Sequence, residues 1–248
     1  MSKVMLVTGA SRGIGAEIAK LAGRSGYKVG VNWHRSEDAA RAVVDEICSA
    51  GSEAVALQAD VGRSDEVERM FTQLDAKYGA PDVLVNNAGV TASFRVEETD
   101  EEQLETLLRA NVYSVFFCAR EAVRRMSTRH GGRGGTIVNI SSVATRLGGR
   151  VGGSAYAASK GAVDIFTMAL AKEVGAEGIR VNALRPGLIA TEIHDVYGGL
   201  AAMEKMAQAV VPMARSGAPA EVAEAALWLA SDAASYVHGA ILDVSGGR

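Results

Sequence analysis

The stretch Val4-Met5-Leu6-Val7-Thr8-Gly9-Ala10-Ser11-Arg12-Gly13-Ile14-Gly15 decides the fold of this chain. Four consecutive apolar residues make a short buried strand that stops at Thr8-Gly9. Beyond it the period changes, and Ile14, Ile18, Leu21 and Ala22 recur on one helical face. Gly9, Gly13 and Gly15 lie between strand and helix. Glycine permits a tight turn and a close approach of backbone to ligand, and the helix start offers unpaired N–H groups to a diphosphate. The spacing is not G-x-G-x-x-G, since the first two glycines are four apart and the last two are two apart. Its position after the first strand still points to dinucleotide binding, with Ser11 and Arg12 inside the turn.

The same alternation runs outward along the chain. Further apolar runs at Val29 to Val31, Ala54 to Leu57, Val83 to Val85, Thr136 to Ile140, Ile179 to Leu184 and Ala240 to Val244 read as strands. Helical patterns separate them near Ala39 to Ala50, Asp65 to Tyr78, Glu101 to Ser127, Ala155 to Val174 and Ala220 to Ala230. Strand and helix in alternation, with short links, call for parallel strands joined by right-handed crossovers. The expectation is one α/β domain over residues 1–248: a Rossmann-type, doubly wound parallel sheet of about seven strands with helices on both faces. The one long irregular region, Leu188 to Pro219, contains an amphipathic stretch from Leu200 to Val211 and is read as a cover over a site.

Bulk properties narrow the function. A net charge of -3 provides no general attraction to nucleic acid or to an anionic membrane. Cys48 and Cys118 form no disulfide framework or metal-ligand spacing and are read as reduced residues packed on helices. His34, His130, His194 and His238 form no triad or metal spacing. With no targeting or membrane-spanning stretch, the expectation is a soluble, cytoplasmic protein without a metal.

The second strand bears on which dinucleotide binds. An NAD site carries an acid about twenty residues after the glycines, on the ribose 2′-hydroxyl. Here the strand closes with Asn32-Trp33-His34-Arg35, and the first acids, Glu37 and Asp38, lie beyond it. Arg12, His34 and Arg35 suit a 2′-phosphate instead, so NADP is favoured over NAD.

Three further features fall where strands end on one edge of the sheet: Asn86-Asn87-Ala88-Gly89, Ser141-Ser142 and Pro186-Gly187. Tyr156 and Lys160 open the next helix, four residues apart and so on one face. A tyrosine with a pKa of about 10 exchanges protons poorly near neutrality; lowering it by roughly 3 requires about 4 kcal/mol of preferential phenolate stabilisation. A fixed ammonium nearby is the right kind of source. Ser142, fourteen residues upstream of Tyr156, is placed to hydrogen-bond a substrate oxygen.

Together these residues resemble the short-chain dehydrogenase/reductase family over the whole chain. The likeness rests on Thr8-Gly9-x-x-x-Gly13-Ile14-Gly15, Asn86-Asn87-Ala88-Gly89, Ser142, Tyr156-Ala157-Ala158-Ser159-Lys160 and Arg185-Pro186-Gly187. Ser235-Tyr236-Val237-His238-Gly239 and Asp243-Val244-Ser245-Gly246-Gly247 also look like the family's C-terminal segment. The resemblance implies hydride transfer between a nicotinamide and a carbonyl or secondary alcohol. It implies Tyr156 as general acid and base, Lys160 lowering its pKa and binding ribose, and Ser142 polarising the carbonyl. It further implies Asn111 holding a relay water, Asp60 and Val61 at the adenine, and Ile189 and Thr191 at the carboxamide and phosphates. A homotetramer, or a homodimer, is implied through the helix from Glu101 and the Tyr156 helix.

Two departures stand out. The interval from Ser142 to Tyr156 is one residue longer than the commonest family spacing and contains Gly148-Gly149-Arg150-Val151-Gly152-Gly153, which leaves Ser141 as a rival serine. Trp33 stands where the NAD-selecting acid would be. The substrate stays open between a 3-oxoacyl thioester and a sugar; Arg124, Arg125, Arg129 and Arg133 either meet an acidic carrier protein or form a solvated face. The alternative from another class is a catalytically silent dinucleotide sensor or scaffold.

Overall fold

A computed structural model of the chain describes residues 2–191 and 199–248. Seven strands among them form one sheet: β1 (Val4–Val7), β2 (Lys28–Trp33), β3 (Ala54–Gln58), β4 (Val83–Asn86), β5 (Gly135–Ile140), β6 (Ile179–Pro186) and β7 (Ile241–Val244). The order is β3-β2-β1-β4-β5-β6-β7, and every neighbouring pair is parallel. Helices cover both faces: α1 (Gly13–Arg24), α2 (Glu37–Ser49), α3 (Ser64–Tyr78), α4 (Glu101–Leu108), α5 (Ser114–Met126), α6 (Ala144–Leu147), α7 (Ser154–Val174), α8 (Gly199–Val210) and α9 (Pro219–Ala230).

The alternation of side chains along each strand builds two cores. Met5, Val7, Val29 and Val31 pack with Ile18 of α1, Ile47 of α2 and Leu229 of α9 on one face. Leu6, Leu84, Ile137 and Val181 pack with Phe71 of α3, Cys118 of α5 and Leu170 of α7 on the other. Successive residues of one strand therefore serve opposite cores, which explains the unbroken apolar runs.

Several details differ from the sequence reading. The helix expected from Glu101 to Ser127 is interrupted at Arg109–Tyr113 by a π-helical segment that carries Asn111. Leu107, Asn111, Val115 and Cys118 all lie on its buried side, so side-chain periodicity hides the widened turn. The short α6 was not anticipated, whereas the amphipathic stretch from Leu200 is the helix α8. Cys118 is buried as expected, but Cys48 is exposed at the end of α2. Residues 192–198 of the expected cover, including His194, lie outside the described residues. Among the described residues no helix is long and apolar enough to cross a membrane.

β1 and β4 are neighbours whose crossovers leave in opposite directions, so a crevice opens at their carboxyl ends. A polar latch shapes it. The Thr8 hydroxyl accepts hydrogen bonds from the backbone N–H groups of Asn87 and Ala88, each at 3.0 Å. Asn87 returns its amide to the carbonyls of Thr8 and Gly9 at 2.9 and 3.0 Å. Asn32 Oδ1 accepts from the Gly9 N–H at 3.0 Å, while its amide nitrogen reaches the Leu57 and Ala59 carbonyls at 3.2 Å. Gly9 has φ of +60°, and a Cβ there would lie 2.8 Å from the Ala88 Cα. Replacing Thr8 with Val keeps the shape but strands the Ala88 N–H and leaves the Asn87 N–H with the Val85 carbonyl alone. We expect Thr8→Val to cost about 1–3 kcal/mol, read as a lower urea midpoint with unchanged slope.

Candidate active site

The glycine turn is the first wall of the crevice. Arg12 stands at the N-cap of α1 without a side-chain capping bond, so the first-turn N–H groups of that helix remain for an anionic group. A Cβ on Gly15 would lie 2.4 Å from Asn87 Nδ2 and 2.6 Å from the Gly9 carbonyl oxygen, so only glycine allows this approach. A Cβ on Gly13 would meet Thr191 Cγ2 at 3.3 Å, which brings the segment after Pro186-Gly187 against the turn. On that segment Ile189 is buried and forms a bridge with Gly217. Ser11 is partly buried and Ile14 packs against the core beneath the turn. These features fit the diphosphate of a dinucleotide.

Past the ends of β2 and β3 the predicted residues divide. Asn32 is buried with its amide engaged by backbone, so it shapes the turn from behind. The Trp33 indole belongs to the core beside Val29 and Val31. His34 and Arg35 are exposed, and Arg12 Nη2 donates to the Ser36 hydroxyl at 2.6 Å. Asp60 Oδ1 accepts from the Gly62 N–H at 2.9 Å, which folds the turn after β3, and Val61 is buried beneath it. Ser36 was not singled out from the sequence. A serine in a polar run carries no signal until a tertiary contact brings it to Arg12.

The other wall is built from α7, β5 and the π-helical segment. Asn111 is fully buried; its Oδ1 accepts from the Val90 N–H at 2.8 Å, and its amide donates to the Val90 carbonyl at 2.9 Å and the Ser159 hydroxyl at 3.0 Å. The Ser159 hydroxyl donates to the Tyr156 carbonyl at 2.7 Å, so Asn111 braces the first turn of α7. Ser159 is a positioning group that its motif contained but its composition did not reveal. Tyr156 is partly buried, one turn before Lys160. Lys160 Nζ donates to the Ile140 carbonyl at 2.9 Å. Exposed Gly89 touches both groups, because a Cβ there would lie 2.9 Å from Asn111 Oδ1 and 3.3 Å from Lys160 Nζ.

The two serines are distinguished by burial. Ser141 is 3% exposed and donates its hydroxyl to the Lys160 carbonyl at 3.3 Å. Ser142 is more open, and its Oγ accepts from the Ala144 N–H at 3.1 Å at the start of α6. That leaves the Ser142 O–H able to donate to a ligand. The glycine-rich interval is tied across the opening by the Phe94 N–H donating to the Gly152 carbonyl at 3.0 Å.

The basic run near the end of the long helix is not an open cationic face. Arg124 and Arg125 pair with Glu121, Arg125 also with Asp75, Arg129 with Glu177 and Arg133 with Asp82. Among the described residues no group of three His, Cys, Asp or Glu side chains is placed to hold a metal ion.

Known proteins match the chain over nearly all of its length. A family model described as Enoyl-(Acyl carrier protein) reductase matches residues 9–248. The uncharacterized oxidoreductase YgfF of Escherichia coli is 46% identical over 246 residues, 99% of each chain. The 3-oxoacyl-[acyl-carrier-protein] reductase FabG of Staphylococcus aureus is 38% identical over 247 residues, 100% of this chain and 98% of that protein. A solved short-chain dehydrogenase/reductase variant from Serratia marcescens superimposes with a TM-score of 0.90 at 34% identity, covering 99% of this chain and 97% of the other.

Burial dominates the electrostatics of Lys160. It pushes the ammonium down from its ordinary 10.5 to about 8, against the opposing attraction of Asp164. Between those two values the unfolded chain binds the proton and the folded protein releases it, so folding gains stability as pH rises from about 8 to 10.5. Lys160→Met removes this linkage. We expect wild type to gain up to roughly 3 kcal/mol on the variant across that window, and none below it, in paired urea titrations.

Proposed function

The chain belongs to the short-chain dehydrogenase/reductase family and is an oxidoreductase, and on that premise we propose that it transfers hydride between NADP(H) and a carbonyl or secondary alcohol with Tyr156 as general acid and base. The observation that carries this reading is the buried Lys160 ammonium, fixed on the Ile140 carbonyl one helical turn from Tyr156. When bound, the nicotinamide supplies or accepts the hydride. In the direction of reduction, Tyr156 donates its phenolic proton to the carbonyl oxygen. The Lys160 charge favours the phenolate that results, and Ser142 donates a hydrogen bond to the same oxygen. Asn111 keeps the first turn of α7 in place through Ser159. In oxidation the same groups act in reverse, with the phenolate taking the alcohol proton.

Gly9, Ser11, Arg12, Gly13, Ile14 and Gly15 would cradle the diphosphate, with Asn32 holding that turn from behind. Asp60 and Val61 border the adenine position, and Asn87, Ala88 and Gly89 line the crevice floor toward the nicotinamide. Pro186, Gly187, Ile189 and Thr191 close it from the β6 side. The preference for NADP rests on exposed Arg12, His34 and Arg35 at the 2′ position, with no acid at the end of β2. A 3-oxoacyl thioester is the first substrate to try, given the similarity to the S. aureus reductase, with sugars as the comparison set.

The oligomer is proposed from apolar surface. Tyr113, Phe116, Ile165 and Met168, on the segment ending in α5 and on α7, are exposed large residues, and Phe116 and Phe166 rings stack at 4.1 Å between those helices. A homotetramer, or a homodimer at least, would bury this face in the soluble, cytoplasmic protein expected from the sequence; a monomer by light scattering at micromolar concentration overturns it.

The function is tested by titrating NADPH and NADH and then assaying acetoacetyl thioester and a sugar panel. NADPH is expected to bind at least ~10-fold tighter than NADH, with Arg12→Ala erasing most of the difference. Tyr156→Phe is expected to lower kcat about 10²- to 10⁴-fold while NADPH binding persists. NADPH binding with no Tyr156-sensitive turnover across the panel would identify a silent dinucleotide sensor instead.

A further inference from the structure

Behind Lys160 runs a chain of alternating charges that the proton-transfer reading does not use. Asp164, one turn along α7, is 4% exposed. Its Oδ2 accepts from Arg185 Nε and Nη2 of β6 at 2.9 and 2.8 Å. Its Oδ1 is buried and has no hydrogen-bond partner among the described residues. Arg185 Nη1 lies 3.7 Å from Asp243 Oδ1 on β7, and Asp243 Oδ2 pairs with Arg146 of α6. The chain thus spans α7, β6, β7 and α6, and its two ends adjoin Lys160 and the segment that follows Ser142.

A buried ammonium is costly without a counter-charge, and so is a buried carboxylate without a cation. Lys160 donates to a carbonyl, which satisfies one N–H but supplies no net charge. Asn111, which shares with the ammonium the neighbourhood of Gly89, is uncharged, and the Ser141 hydroxyl meets the Lys160 backbone carbonyl rather than the ammonium. Asp164 is the acid on its own helix at the spacing that places two side chains on one face. Because Arg185 grips a single carboxylate oxygen, the other keeps unmet negative character.

We propose that Asp164 is the counter-charge that keeps Lys160 an ammonium in its buried position, and that Arg185 is the positioning residue that fixes Asp164 and moderates its pull. The role in turnover rests on the Tyr156–Lys160 reading above, but the charge balance itself does not. Removing Asp164 leaves the cost of burying Lys160 unopposed. Removing the Arg185 charge takes away the cation that engages Asp164, so the pull of that carboxylate on Lys160 rises. The two changes therefore act on Lys160 with opposite sign, which a purely structural role does not predict.

The test is ¹³C NMR titration of lysine Cε in the full-length apoprotein, with the Lys160 signal assigned by its loss in Lys160→Met. Wild type is expected to titrate near 8. Asp164→Asn should move the midpoint down by about 1 on the pH scale, and Arg185→Met should move it up. Arg185→Lys should return it close to wild type, and Asp243→Asn, which leaves the Asp164 grip intact, should barely move it. Shifts of the same sign for Asp164→Asn and Arg185→Met, or none for Asp164→Asn, overturn the proposal. If Arg185→Met does not fold, a fall in Asp164→Asn without one in Asp243→Asn supports it, and equal falls overturn it. Absence of Tyr156-dependent turnover in wild type would remove the proposed function while this titration still judges the charge balance.

Discussion

A sheet whose neighbouring strands are all parallel imposes one constraint from which the site follows. Each strand must be reached by a crossover on one face or the other, so every strand leaves the sheet at the same edge. The turns after β1, β4, β5 and β6 are consequently neighbours although they lie far apart in the chain. Thr8-Gly9, Asn86 to Gly89, Ser141-Ser142 and Pro186-Gly187 occupy those four turns. The change of winding direction between β1 and β4 opens the crevice there, and the Thr8–Asn87 latch holds its two lips together. Backbone rather than side chain forms much of this surface, which is why the glycines matter. At Gly15 and Gly9 a single added carbon would push the lips apart.

On the chemical side the governing quantity is the cost of burying charge. Lys160 sits at 5% exposure, where an ammonium is costly to hold. Stability is given up for that placement, and the surroundings limit how much. The Ile140 carbonyl orients the ammonium, and Asp164 and Arg185 balance it from the next turn and the next strand. The cofactor end follows the opposite rule. Arg12, His34 and Arg35 remain exposed, where cationic charge is cheap to hold and accessible to an anion.

The contrast between the two serines shows how tertiary context selects among equivalent residues. Both follow β5, and their chemistry is identical. Strand alternation turns Ser141 toward α7, where the Lys160 carbonyl accepts its hydrogen bond, and leaves Ser142 to the crevice. The arginines after the long helix make the same point for charge. In sequence they are a basic cluster; in the fold Glu121 of the same helix pairs with two of them, and Asp75, Asp82 and Glu177 come from three other places to pair with Arg125, Arg133 and Arg129.

Element order, the parallel sheet and the identity of the crevice turns were legible in the sequence, because apolar period and glycine placement are local properties. Tyr156 and Lys160 were legible as a pair for the same reason: helical spacing alone puts them on one face. The π-helical turn at Asn111 was hidden because it preserves the buried stripe. The core position of Trp33, the Arg12–Ser36 contact, the exposure of Cys48 and the Asp164–Arg185–Asp243 chain were hidden too. Each depends on which residues from distant strands share a neighbourhood, and hydrogen bonds and charges are settled at that range. The sequence by itself determined that a parallel α/β sheet would gather a glycine turn and a Tyr-Lys pair at one edge. Only the tertiary structure decided which polar groups near that edge are consumed by the scaffold and which remain for chemistry, because a polar side chain's role is set by the partners that burial brings to it.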